Sequence, residues 1–337
     1  MTRFVDCLSR QLEALVEDIR IPFHTVYVGG GNPGLVGADA IRGLLSTAFR
    51  YGRPVECSME INPETLDESF SSILDLVDRF SVGIQSFDER HLRTLGRNAD
   101  RRSCARALNL LEAFRKEKGT RFNADLMTNI PRQSLDDALH DIDELVSWQP
   151  DHISLYSLTF EEGTRLVQEE VPRSEEEEAE TLYRLWDHLE SLGYEQYEVS
   201  AFAREGRYCR HNLVYWNLGQ YIGLGPSAES SVGYSSIVSS REQETLDGYL
   251  ADPSFTSVRL TREETIEEYL MTSLRTRWGL DKAEFSRRFS CIFDDMFHEA
   301  VDGMDPLWYH DDDERFVLTR DGIMVLNRIL LALFMDL

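Results

Sequence analysis

Thr25-Val26-Tyr27-Val28-Gly29-Gly30-Gly31-Asn32-Pro33 is a β-branched, apolar run that ends in three glycines and a proline. Such a run predicts a buried strand that delivers bare backbone to a ligand. Glycine permits positive φ and close approach, while Pro33 fixes the exit and removes a donor. Taken alone, a glycine triplet serves equally as a permissive loop, and the segments on either side must separate the two readings.

Upstream, Leu8, Leu12, Leu15, Val16 and Ile19 fall at helical spacing, which predicts a helix over 4–19 with no strand ahead of it. Downstream, Ala38 to Arg50 reads as a helix and Val55 to Pro63 as a second strand closed by a proline. Thr65 with Glu68 three residues on predicts a capping box and a helix through Val77. The rhythm then repeats: strand Arg79 to Gln85, helix Arg101 to Lys118, strand Phe122 to Ile130, a helix capped by Ser134 and running to Trp148, and strand His152 to Phe160. Regular alternation with short loops implies α/β architecture with a parallel sheet, either open and doubly wound or closed into a full or partial barrel. Glu60, Gln85, Asp125 and Thr159 stand at or near the C-terminal ends of successive strands, where such sheets collect ligands. Any one of them serves equally to cap a helix; together they point to a binding site.

Ser174 and Glu177 predict a capping box for an acidic, solvated helix to Leu192, and Tyr194 to Val199 reads as a further strand. Residues 201–233 form a long, glycine- and aromatic-rich connection without periodicity, the kind of loop that is more often functional than decorative. Thr261 with Glu264 caps a helix through Arg275, two helices are expected between Asp281 and Val301, and a strand near Phe316 to Leu318 precedes a final helix from Asp321. The resulting division is a barrel over 1–200, a connecting segment over 201–255, and a small helical, winged-helix-like domain over 256–337.

Composition bounds the function. The 337 residues are 42% hydrophobic and 28% charged, enough for a large core plus an appendage. With 35 basic against 60 acidic residues, the net charge of -25 argues against nucleic acid or an anionic membrane as partner. Five cysteines, Cys7, Cys57, Cys104, Cys209 and Cys291, show no CxxC spacing, which argues against a disulfide framework or structural zinc and fits a reducing cytoplasm. No signal peptide is expected, and the apolar run Ile323 to Leu337, interrupted by Asn327 and Arg328, is too short to span a bilayer and is expected to pack as a helix.

Eight stretches occur in one order: Gly29-Gly30-Gly31-Asn32-Pro33, Glu60-Ile61-Asn62-Pro63, Ser81-Val82-Gly83-Ile84-Gln85-Ser86-Phe87, Leu95-Gly96-Arg97, Asp125-Leu126-Met127, Asp151-His152-Ile153-Ser154-Leu155-Tyr156, Tyr197-Glu198-Val199-Ser200 and His211-Asn212-Leu213-Val214-Tyr215-Trp216. In them the chain resembles the oxygen-independent coproporphyrinogen III oxidase-like radical S-adenosylmethionine (SAM) proteins, and more closely their haem-chaperone, HemW-like branch. The resemblance covers nearly the whole chain. It implies a partial six-stranded βα barrel whose first strand leads into a CxxxCxxC loop holding a 4Fe-4S cluster, with SAM on the unique iron. It further implies that Gly30, Gly31 and Asn32 lie against the methionine group of SAM, and that Glu60, Gln85, Arg97 and Asp125, with Thr159, hold its polar groups.

Three departures bear on activity. The CxxxCxxC segment is absent, no cysteine trio in the sequence has cluster spacing, and the chain begins in the helix that should follow the cluster loop. Asn32 replaces the family's usual threonine, and Asn129 and Arg132 stand where the family has glycines, which is expected to add bulk beside the SAM pocket. Glu229 stands where the family commonly has histidine. The haem motif is intact: His211 and Cys209 offer the two donor types that ligate haem iron, and Tyr215 and Trp216 offer aromatic cover.

The reading is therefore a haem chaperone-like protein that passes haem or a related porphyrin to an acceptor protein, without turnover in this form. The alternative is a radical SAM oxidoreductase of porphyrin biosynthesis whose cluster-binding N-terminus is missing from this sequence. A third reading, independent of the resemblance, is a βα-barrel enzyme binding a phosphorylated small molecule. The intact His211 to Trp216 motif favours the first.

Overall fold

A computed structural model describes residues 2–160, 166, 174–243 and 245–337. The chain divides into two compact units, one comprising 15–196 and 200–208, the other 1–14, 197–199 and 209–337.

The first unit is a βα sheet. Helix α1 (Thr2–Ile19) leads into β1 (Thr25–Val28), followed by α2 (Ala38–Ala48), β2 (Glu56–Ile61), β3 (Arg79–Gln85), α3 (Glu89–Thr94), α4 (Arg101–Lys118), β4 (Arg121–Thr128), α5 (Leu135–Ser147), β5 (His152–Ser157), α6 (Glu175–Ser191), β6 (Glu195–Gln196) and β7 (Ala201–Ala203). The strands lie in the order β1-β2-β3-β4-β5-β7-β6, with β1 to β5 parallel, and the two outermost strands are not paired to each other. This is the partial barrel expected. The sheet closes differently from a purely parallel one, however: β7 runs antiparallel to β5, and β6 antiparallel to β7.

Strand alternation sorts the sheet's two faces. Cys57, Met59, Phe80, Val82, Phe122, Ala124, Ile153 and Leu155 are buried on one face, where the Phe80 ring lies 6.0 Å from Phe114 of α4 and the Arg115 guanidinium sits 4.5 Å from the Phe122 ring centre. The alternate positions are polar: Tyr27, Ser58, Glu60, Ser81, Asn123, Asp125, His152 and Ser154. Register carries Glu60 beside Ser81, Ser81 beside Asn123, and Asn123 beside His152, so a row of polar side chains crosses four strands.

Capping explains most helix starts. Ser134 with Asp137 and Ser174 with Glu177 form the expected reciprocal boxes, and Asp100 with Ser103 forms another. Thr65 does not cap a helix. Its hydroxyl donates to Asn32 Oδ1 and sits 3.0 Å from the Asn62 carbonyl, and Asp67 instead caps a short 3-10 segment, Glu68–Ile73. Ser69 bonds Asp67 through both its amide and its hydroxyl, a local alternative to extending an α-helix.

The second unit contains α7 (Arg210–Trp216), β8 (Glu229–Val232), β9 (Val238–Glu242), α8 (Leu246–Ala251) and β10 (Phe255–Arg259), then α9 (Arg262–Ser273), β11 (Leu280–Asp281), α10 (Lys282–Phe289), α11 (Phe293–Asp302), β12 (Tyr309–Asp311), β13 (Arg315–Leu318), α12 (Arg320–Met324) and α13 (Leu326–Phe334). Two three-stranded antiparallel sheets, β10-β9-β8 and β11-β13-β12, belong to it. Its core is aromatic, with Phe285 edge-on to Phe293 at 5.7 Å and Phe293 at 5.3 Å from Phe316. The C-terminal apolar run packs as expected, burying Leu326, Ile329, Leu330 and Leu333. Among the described residues no helix is long and apolar enough to cross a membrane.

Candidate functional site

At the C-terminal end of β1 the backbone opens. Gly30 and Gly31 have φ of 82° and 63°, and a Cβ added at either would meet nothing within 4 Å. This is left-handed backbone beside open space, as a close-approaching ligand requires. Glu60 of β2 fixes the turn: its Oε2 accepts from the Gly30 amide at 3.0 Å, and its Oε1 accepts from the Tyr27 hydroxyl at 2.7 Å. Asn32 accepts from Thr65 instead of facing this carboxylate.

Gln85 ends β3 at a register shift, with φ of 69° and its side chain buried. A non-glycine residue held in that region is strained, and such strain collects at binding sites. Its Nε2 lies close enough to Gly83 that a Cβ there would approach it to 2.9 Å. Asp125 is half-buried and accepts from Asn123 Nδ2 at 2.7 Å; Asn123 in turn bonds Ser81, His152 and Ser154. Burial pushes the Asp125 carboxyl up to about 6 against the opposing pull of Asn123 and Ser154, and the nearby Glu60 charge adds to the rise. Burial, with Arg79 and Arg121 adding to it, holds His152 well below the usual imidazole range, so it stays neutral beneath the site.

The structure thus brings Gly30, Gly31, Glu60, Gln85 and Asp125 to one end of the sheet. Arg97 and Thr159 lie in segments outside the paired strands. Arg97 is exposed in the turn after α3, tied through its amide to the Leu92 carbonyl. β5, the last of the parallel strands, ends at Ser157, and Thr159, two residues beyond it, is exposed. Asn129 and Arg132 both have positive φ, 61° and 65°, the conformation that favours glycine. Arg132 is exposed, and Asn129 spends its amide on the Leu158 carbonyl. Tyr27, Asn123 and Ser154 were missed by sequence reasoning, although their places two residues from Gly29, Asp125 and His152 put them on the same face.

The second candidate set lies on a helix where a loop was expected. His211 and Tyr215, four residues apart on α7, share one face: His211 Nε2 and the Tyr215 hydroxyl are 2.7 Å apart, and their rings meet edge-on at 4.9 Å. Tyr221 continues the aromatic surface, edge-on to Tyr215 at 4.6 Å. The Arg275 guanidinium lies 5.2 Å from the Trp216 ring centre, and the buried Trp216 Nε1 makes no hydrogen bond. Cys209 separates from this group. It is fully buried at the helix N-cap, where its amide donates to the Tyr197 hydroxyl and its thiol to Asn212 Oδ1 at 3.3 Å, leaving no exposed sulfur for a ligand.

Four of the five cysteines are buried, and among the described residues no group of three or more His, Cys, Asp or Glu is placed to hold a metal ion. The residues described therefore do not fit a 4Fe-4S cluster. They do fit the polar groups of SAM, through open backbone at Gly30 and Gly31 and carboxylates at Glu60 and Asp125.

The radical SAM superfamily profile matches residues 8–145 and the HemN C-terminal domain profile residues 260–325. The chain is 32% identical to the haem chaperone HemW of Mycobacterium tuberculosis (strain H37Rv), across 98% of this chain and 86% of that one. It is 30% identical to that of Haemophilus influenzae, across 91% and 82%. The coproporphyrinogen III oxidase (HemN) of Escherichia coli, a radical SAM enzyme at 19% identity, shares the fold with a TM-score of 0.80 over 100% of this chain and 83% of its own. With both domain profiles in order and relatives matched along most of their length, the chain belongs to the HemW family of radical SAM proteins.

Proposed function

We propose that this protein is a haem chaperone: residues 201–255 carry haem as cargo, with His211 as the iron ligand and Tyr215 and Trp216 covering the macrocycle, for transfer to an acceptor protein. The observation that carries this reading is the His211–Tyr215 pair on one face of α7, an imidazole whose Nε2 is held at an aromatic surface by a hydrogen bond with the Tyr215 hydroxyl. A neutral imidazole exchanges such a bond for iron, and a flat apolar macrocycle gains from stacking on the rings. Cys209, buried with its thiol on Asn212, occupies the N-cap position of the helix and offers no ligand.

We also propose that Gly30, Gly31, Asn32, Glu60, Gln85 and Asp125 hold SAM at the sheet's open end, with Arg97 and Thr159 contributing only if their exposed segments close over it. SAM bound there supplies a sulfonium centre. The chain's own residues orient it: the glycine backbone admits the amino-acid group, while Glu60, Gln85 and Asp125 offer acceptors to its donors. Among the described residues no cysteine trio is placed to ligate a cluster.

Titrating haemin into wild type, His211→Ala and Cys209→Ala while following the Soret band tests the cargo site. Wild type and Cys209→Ala are expected to show a saturable shift, and His211→Ala to lose it while keeping its thermal melt. Equal binding by His211→Ala would overturn the ligand assignment, and loss only in Cys209→Ala would move it to the thiolate.

A further inference from the structure

Away from both candidate sets, the second unit contains a cleft of about 410 Å³ whose lining includes Arg262, Arg287, Arg288, Tyr234, Ser235 and Ser290. In a chain of net charge -25, three guanidinium groups gathered at one cavity need a local explanation. Internal ion pairing accounts for only part of it. Glu284 is the carboxylate they share, 2.8 Å from Arg287 and 3.4 Å from Arg288, and it also accepts from the Tyr234 hydroxyl at 2.9 Å. Arg262 donates to the Phe289 carbonyl at 3.1 Å and, among the described residues, forms no ion pair. Three cations against one carboxylate leave the cleft positive.

Arg288 shows that this charge is built in rather than an accident of the surface. It is 6% exposed, its guanidinium lies 4.5 Å and 5.2 Å from the ring centres of Tyr234 and Tyr269, and its Nε has no hydrogen-bond partner among the described residues. Its Nη1 donates to the carbonyls of Leu218 and Tyr234. Glu284 at 3.4 Å offsets this buried guanidinium only in part, because the same carboxylate also pairs with Arg287. Donors that suit oxyanions remain at the cleft: Nη1 of Arg287, whose Nε and Nη2 are on Glu284, the Arg262 guanidinium beyond its bond to Phe289, and the hydroxyls of Ser235 and Ser290.

We propose that this cleft binds a small oxyanionic ligand, one that presents phosphate or carboxylate oxygens to Arg262 and Arg287, with Arg288 supplying fixed charge behind them. Its volume admits a compact molecule carrying more than one anionic group.

The test uses the full-length protein and two probes, pyrophosphate for a phosphoryl ligand and citrate for a polycarboxylate, titrated calorimetrically at low and high salt. Because Arg288 also ties down Leu218 and Tyr234, the variants are made at the exposed positions: Arg262→Gln, Arg287→Gln and the double variant. At least one probe is expected to bind saturably, more weakly as salt rises, and about tenfold or more weakly in the double variant, the loss of a charge-assisted hydrogen bond. Thermal melts of the variants should match wild type. The probe that binds identifies which oxyanion chemistry the cleft prefers. Failure of both probes to bind, or undiminished binding by a folded double variant, would overturn the proposal.

Discussion

Asp125 is a carboxyl whose environment works against its charge. In the unfolded chain it titrates near the ordinary aspartate value, whereas burial raises it to about 6 in the folded protein. Between those values the folded state holds more protons, so stability from this group is fully present below the unfolded value and is lost as pH rises through about 6. Asp125→Asn removes the titration while keeping an oxygen to accept from Asn123. Relative to wild type, the variant is expected to gain stability between pH 4 and pH 8, by at most about 3 kcal/mol. Urea denaturation of both proteins at the two pH values measures this difference, and pH-independent effects of the substitution cancel from it. A difference that does not change with pH would mean Asp125 titrates normally. The position was legible in the sequence because it lies toward the C-terminal end of a strand; its supporting partner Asn123 was not, since a polar residue within a strand does not reveal which neighbours the register will bring to it.

At the scale of elements, the end of β3 is pinned by a helix four elements further along the chain. Asp141 of α5 accepts from the Ser86 hydroxyl at 2.6 Å and from the Phe87 amide at 2.8 Å, and Ser86 Oγ in turn accepts from the Asp88 amide. These bonds hold the strained Gln85 where the strand stops. Asp141→Ala leaves a buried hydroxyl and amide unsatisfied and is expected to destabilise by about 2–4 kcal/mol. Asp141→Asn, which can still accept from Phe87 and can donate to Ser86, should recover at least half of that. Denaturant midpoints decide, and equal losses in the two variants would show that the bonds matter less than the shape they fill. Sequence reasoning found β2 to β5 because apolar residues recur along them, yet it did not single out Asp141, which in the sequence is one polar position of α5 among several. It also missed α7, a seven-residue helix whose N-cap, Cys209, makes no side-chain capping bond and whose buried side is not marked by an apolar stripe. The antiparallel turn at β6 and β7 escaped for a related reason: two- and three-residue strands carry too little pattern to state a direction.

At the scale of the whole molecule, the division of the chain does not follow its order. The unit that contains α7 to α13 also takes in residues 1–14, whereas the sequence suggested a boundary near 255, because helical spacing in α1 does not reveal which partner covers its apolar side. Within that unit α1 meets α8. The Phe4 ring lies 6.1 Å from Tyr249, which is fully buried and donates to Gln11 Oε1 at 2.5 Å, while Gln11 Nε2 donates to the Pro253 carbonyl. A residue near the start of the chain therefore helps to hold one more than 240 positions later. Phe4→Ala removes the ring that covers Tyr249 and leaves a gap that the half-buried surroundings fill only in part, a loss of about 2–4 kcal/mol confined to contacts of this unit. Hydrogen exchange on the intact chain gives the readout. Amides of Leu246–Ala251 are expected to exchange faster in the variant, while those of β2 to β5, paired strand to strand on a separate core, keep their protection. Faster exchange across β2 to β5 as well would mean that the two units unfold as one cooperative body, and no change in 246–251 would mean that α1 contributes nothing to the unit with which it is grouped.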